Sequence, residues 1–228
     1  MIAQGYVLHQ YPYGDDSIVL KLFTHEHGYI SAIAKHIKGR RTGWVNWLRP
    51  FSLLSIQLCG RGQLLNITSV EPVQPAIHLI GQRLYAGLYL NELLVGFLPE
   101  AEPLPELLCQ YQESIEALRQ LEIEPVLRSF ELALLSVLGY RPTLLWDQEQ
   151  QSIEAEHFYQ LLPEHLPRRT FGQANDSMVF SGAILQSIAD QAWESPETLK
   201  AAKRLMRAWI NHYRKGKPLK SRELFLRS

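Results

Sequence analysis

"KHIKGRRTGWVNWLRP", residues 35–50, carries Lys35, His36, Lys38, Arg40, Arg41 and Arg49, two tryptophans and two glycines, and no Asp or Glu. How it reads depends on its flanks. Upstream, near-alternating β-rich runs occur at 2–10, 17–23 and 29–35, and downstream at 51–58 and 64–70. "YPYGDD", "THEHG" and "GRG" supply turn chemistry between them. The segment 35–50 is therefore the long connection between the third and fourth of five short strands. That count and spacing describe a small closed barrel of the OB type, which leaves no exposed sheet edge. Trp44, Trp47 and Leu48 stand at the i, i+3, i+4 spacing of one helical face, so a short helix is expected in the connection.

After Pro75 the apolar period changes to about 3.6 residues. Residues 78–100 are apolar nearly all round, with Glu92 the one acid between Leu84 and Leu98, which predicts a central buried helix. The loop "PEAEPLPE" ends it, and a second helix is expected over 107–121. A third should begin with Pro125 at its first position and stop at Gly139, just before Pro142. Residues 143–170 give no clear period, and helical spacing returns at 181–193 and 196–214. The expectation is an α+β chain: a five-stranded OB-fold barrel over 1–77, then an all-helical domain over 78–228.

Apolar residues make up 46% of the 228 and charged residues 20%, which is ordinary globular composition. The longest stretch without Asp, Glu, Lys or Arg is 1–14, too short for a membrane span, and no secretory leader pattern opens the chain. A cytoplasmic location is expected. Cys59 and Cys109 belong to no C-x-x-C pair and read as buried thiols. The zero net charge hides segregation. Residues 1–75 hold seven basic against four acidic side chains, 76–150 four against eleven, and 151–228 twelve against eight. From Lys200 to Arg222 there are nine Lys or Arg and no acid.

The signatures of phosphate-loop enzymes, α/β-hydrolases and zincins are absent. Asp15 and Asp16 sit in a turn, where Asp is favoured for local hydrogen bonding, and His25 with His27 lack a recognisable third ligand. No catalytic residue, metal or cofactor is expected. The basic segments read differently. Phosphates are met by Lys and Arg, and unpaired bases stack on aromatic rings, so a single-strand groove needs both kinds of side chain together. Lys35, Lys38, Arg40, Arg41 and Arg49 with Trp44 and Trp47 supply that mixture, unless the tryptophans plug the barrel end. In 196–214, Leu199, Ala202, Met206, Trp209 and Tyr213 fall on one face and Lys200, Lys203, Arg204, Arg207 and Arg214 largely on another. With Lys215, Lys217 and Lys220, these make a second candidate phosphate-contacting surface. A helix lying on a membrane is the lesser alternative.

Six stretches, "GYVLHQYPYGDDSIVLKLFTHEHGYISAIAK" (5–35), "LRPFSLLSIQLCGRGQLLNITSVEP" (48–72), "RLYAGLYLNELL" (83–94), "EPVLRSFELALLSVLGY" (124–140), "LKAAKRLMRAWI" (199–210) and "GKPLKSRELF" (216–225), resemble the RecO family of bacterial recombination mediators. The resemblance implies an OB domain followed by a helical one in a non-enzymatic DNA-repair protein. Such a protein binds single- and double-stranded DNA, anneals complementary strands, engages the acidic C-terminal tail of SSB and acts with RecR to load RecA. It places Arg128, in E-P-x-L-R, at the SSB tail, whereas the residues alone equally allow a surface salt bridge with Glu124 or Glu131. Many relatives carry four zinc-binding cysteines in the region equivalent to 143–181, where this chain has none. His36 stands where relatives usually have Gly, and Arg49 where they usually have Gln. Two rivals from other classes are a metal-dependent nucleic-acid-processing enzyme and a protein-only adaptor whose basic patches meet acidic partners.

Overall fold

A computed structural model describes residues 1–37, 42–171 and 178–225 of the chain. The strands β1 (Ile2–Tyr13), β2 (Ser17–Thr24), β3 (Gly28–Ala34), β4 (Leu53–Cys59) and β5 (Leu64–Pro72) close into a barrel in the order β1-β2-β3-β5-β4. Within the barrel the β3–β5 pairing is parallel and the other four are antiparallel. Register follows from alternation: Val7 pairs with Leu22, Leu22 with Ile30, and Ala3 with Ile56, so each strand sends its apolar set to one shared interior. Gly28 turns the chain into β3 with φ +62, and a Cβ there would lie 1.9 Å from the Glu102 carbonyl oxygen. Only glycine satisfies both demands.

Downstream lie α1 (Gly81–Phe97), α2 (Pro105–Ala117), α3 (Ile123–Val137), β6 (Phe158–Gln160), β7 (Arg168–Thr170), β8 (Val179–Ser181), α4 (Gly182–Ala189), α5 (Pro196–Tyr213) and α6 (Ser221–Leu224). By internal contacts the chain forms two compact units, one of Met1–Leu121 with the segment from Leu219 onward and the other of Glu122–Pro218.

In the first unit a buried polar chain ties the helices to the barrel. Asn91 on α1 donates its amide to the Leu8 carbonyl at 2.8 Å, and the Tyr111 hydroxyl on α2 donates to Asn91 Oδ1 at 2.6 Å. The Tyr6 ring meets Tyr111 edge-on at 5.2 Å. Burial holds the Tyr111 phenol well above its usual pKa, so it stays a donor. Glu92 explains itself here. Its carboxylate accepts the backbone N–H groups of Lys220 and Ser221 at 2.9 and 2.8 Å and the Ser221 hydroxyl at 2.6 Å. The lone acid of an otherwise apolar helix thus caps α6, and Phe225 packs edge-on against Tyr85.

In the second unit α3 packs on α5, with Phe130 and Leu134 of α3 and Leu205, Met206 and Trp209 of α5 all buried. Ser181 and Ser195 cap α4 and α5 through hydroxyls that accept from Ile184 N and Thr198 N, and Pro196 opens α5. Pro125 lies two residues inside α3 rather than at its first position. Its missing N–H is still among the donors without an intrahelical partner, so the helix tolerates it there. Gly139, at φ +75, ends α3 in a Schellman turn: its N–H donates to Ser136 and that of Tyr140 to Leu135.

The strands β6, β7 and β8 add a three-stranded antiparallel sheet, in the order β7-β6-β8, to the helical part. Three-residue strands are too short to show a period. Both cysteines are exposed, against the expectation of buried thiols: Cys59 falls on the outward phase of β4 and Cys109 on the solvent side of α2.

Candidate nucleic-acid interface

The connection that follows β3 is built from its anchors outward. Lys35 is exposed immediately after the strand. His36 takes the left-handed conformation with φ 60, and its Nδ1 lies 2.9 Å from Asp16 Oδ2, while Ile37 N donates to the Asp16 carbonyl. The turn that glycine would make freely is thus made by histidine with a carboxylate partner. Lys38, Arg40 and Arg41 lie outside the described residues. A short 3₁₀ helix, Thr42–Asn46, comes next.

The two tryptophans then separate. Trp44 is half-buried and packs on the barrel core, and its carbonyl accepts from both Trp47 N and Leu48 N at 2.9 Å. Leu48 is fully buried, but Trp47 keeps 37% of its surface exposed. Trp44 therefore plugs the barrel, and Trp47, on the turn of chain beyond the helix, is the ring open to solvent. Arg49 is exposed and donates to Asn46 Oδ1 at 3.2 Å.

On α5 the helical period sorts the cations. Lys200 and Arg207 are exposed, with no salt-bridge partner among the described residues, and the same holds for Lys215 and Lys217 beyond the helix. Lys203 is half-buried and pairs with Glu124 Oε1 at 2.5 Å. Arg204 departs further from the expectation of a phosphate contact. Its Nη2 donates to the Val179 carbonyl at 2.8 Å, and its guanidinium lies 4.2 Å from the Phe180 ring centre, so it binds α5 to β8. Burial lowers its pKa. Arg214 folds back onto the Lys217 and Pro218 carbonyls. Lys220, in the other compact unit, is exposed.

Arg128 is only 5% exposed and Glu131, one turn on, is fully buried. Arg128 Nη1 lies 2.9 Å from Glu131 Oε2, while Nε has no hydrogen-bond partner among the described residues. Glu131, not Glu124, is thus the ion-pair partner, and the pair is interior rather than at the surface. Helical spacing offered both carboxylates, and only packing chooses between them. Ser52, to which spacing gave no part, is 3% exposed, and its hydroxyl has no partner among the described residues. A lone serine beside a proline-bounded turn gives no signal in sequence.

No helix among the described residues is long and apolar enough to cross a membrane, and no group of three or more His, Cys, Asp or Glu among them is placed to hold a metal ion.

A closed barrel of this strand order, leading into helices and a small sheet, defines an OB-fold protein with a helical extension. Residues 1–76 match the family model described as "Recombination protein O N terminal", and residues 80–223 match "Recombination protein O C terminal". The DNA repair protein RecO of Pseudoalteromonas atlantica is 40% identical over 223 residues, covering 97% of this chain and 92% of that protein. Those of Methylococcus capsulatus and Pseudomonas aeruginosa PAO1 are 37% and 39% identical, covering 99% and 97% of this chain and 93% of each relative. The chain belongs to the RecO family of DNA repair proteins.

Proposed function

We propose that this chain is a non-enzymatic recombination mediator. It binds single- and double-stranded DNA through phosphates without reading sequence, and it anneals complementary strands by neutralising two polyanions together, with no need for ATP. It engages the acidic C-terminal tail of SSB, acts with RecR to load RecA, and works in the cytoplasm at the nucleoid. The observation that carries the DNA reading is the outer face of α5 and the turn after it, where Lys200, Arg207, Lys215 and Lys217 face solvent without a carboxylate partner among the described residues. Exposed cations left unpaired in this way are an electrostatic footprint for a polyanion. Lys35, Arg49 and the basic residues Lys38, Arg40 and Arg41 give the barrel connection the same character. Arg128 supports the SSB-tail reading through its buried Nε, which lacks an acceptor among the described residues that a carboxylate could supply.

The test is a titration of fluorescent single-stranded DNA at several salt concentrations, repeated with an SSB tail peptide as competitor. Each phosphate contact adds about −0.7 to the log–log slope. Reversing charge at Arg40 and Arg41 together should weaken DNA binding and leave tail-peptide binding intact. Absence of saturable DNA binding supports the protein-only adaptor. Cleavage of labelled DNA with Mg²⁺ or Mn²⁺ supports the enzyme.

A further inference from the structure

A cavity of about 460 Å³ opens beside Trp47 within the first compact unit. The Trp47 indole, Pro72 and Pro75 give it flat apolar walls, and Asn46, Ser52 and Gln74 bring polar ends to it. Its volume falls within the usual range of about 300–1,000 Å³ for sites that take small organic groups. Three features of its lining bear on what it can hold. The Ser52 side chain is almost wholly buried, yet its hydroxyl has no hydrogen-bond partner among the described residues, although such a group ordinarily finds one. The residue before it, Phe51, sits at φ +69, a left-handed conformation that a bulky side chain adopts only when its surroundings enforce it. Here the enforcement is the Phe51 ring, buried so tightly against Gly87 of α1 that a Cβ on Gly87 would come within 2.8 Å of it. This strained step turns the chain into β4 and sets Ser52 in the cavity wall. Finally, Arg49 stands exposed three residues from Asn46 and is hydrogen-bonded to it, which places a cation beside the polar lining.

We infer that this cavity takes one unpaired base of a DNA strand, stacked on Trp47 with its polar edge met by Ser52, Asn46 and Gln74, while Arg49 holds the adjoining phosphate. A base is flat, has a π-face for the indole and carries donors and acceptors on its rim, which is the combination the walls provide. The cation and the acid-free segment 35–50 favour a nucleic-acid strand over an acidic or neutral apolar occupant. This inference rests on the DNA-binding reading above and adds to it a base contact that neutralisation of phosphates alone would not require.

The test compares a deoxythymidine oligomer with an abasic oligomer of equal length and equal charge. The full-length protein should bind the thymidine strand about tenfold more tightly. Trp47→Ala should erase that difference and leave abasic affinity and its salt slope unchanged. Trp47→Phe should keep most of it, and Ser52→Ala should lose about threefold on the thymidine strand only. Photocrosslinking of a 5-iodouracil oligomer to the unaltered protein should give an adduct on Trp47, a result that does not depend on how any variant folds. Equal affinity of the native protein for both strands, equal loss on both in Trp47→Ala, or adducts confined to residues outside the cavity would overturn the pocket while leaving phosphate binding standing. Failure of both strands to saturate the protein would overturn the DNA-binding reading, and the pocket with it.

Discussion

The barrel connection and helix α5 both mix groups that hold the fold with groups that face solvent, but they sort them by different rules. On α5 the helical period does the sorting. Lys200 and Arg207, seven residues apart, share the exposed side, and Leu205, Met206 and Trp209 share the buried one. Around the short 3₁₀ helix of the barrel connection, the two tryptophans three residues apart end in different environments: Trp44 half-buried on the core, Trp47 exposed. Where regular structure sets direction, spacing reveals which face a residue joins. Where a short 3₁₀ helix runs into an irregular turn, direction is set by packing against strands distant in sequence.

The comparison is broken most severely by removing a charge that belongs to the interior. Arg128→Ala takes the ion-pair partner from a buried Glu131 and should cost about 3–5 kcal/mol in denaturant unfolding. Arg128→Met with Glu131→Leu should recover most of that loss, because the double replacement removes both buried charges. Trp44→Ala comes next. It deletes a half-buried ring from the barrel end and should cost about 2–3 kcal/mol, less than truncation of a fully buried aromatic. Arg204→Ala should cost about 1–2 kcal/mol, since it loses a hydrogen bond to the Val179 carbonyl and the contact with Phe180. The smallest effects on stability belong to the solvent-facing class. Lys200→Ala and Arg207→Ala should each stay within about 0.5 kcal/mol of the parent. A stability loss from either as large as that of Arg204→Ala would erase the distinction between inner and outer cations on α5.

Much of this was legible in sequence. Five strands and their spacing identified the barrel, since alternation is long enough in each to declare itself, and "LKAAKRLMRAWI" carried its two faces openly. What escaped had physical causes. β6, β7 and β8 have three residues each, too few for a period-two alternation to repeat. Arg204 sits at the edge of the basic face, where a long side chain can reach a backbone carbonyl on a neighbouring strand. Glu92 looked like an exception within an apolar helix, and its reason lies in the backbone of residues 220 and 221. The left-handed Phe51 leaves no mark in composition or spacing, because its ring packs against Gly87 of α1, distant in sequence.

The central claim is that the outward cations of this chain exist to meet a polyanion. The most direct measurement is the salt dependence of single-stranded DNA binding by the parent and by a Lys200→Glu, Arg207→Glu double variant with unchanged melting behaviour. The account predicts weaker binding and a log–log slope shallower by about 1.4, two contacts' worth of released counterions. A slope and affinity identical to the parent's would contradict it.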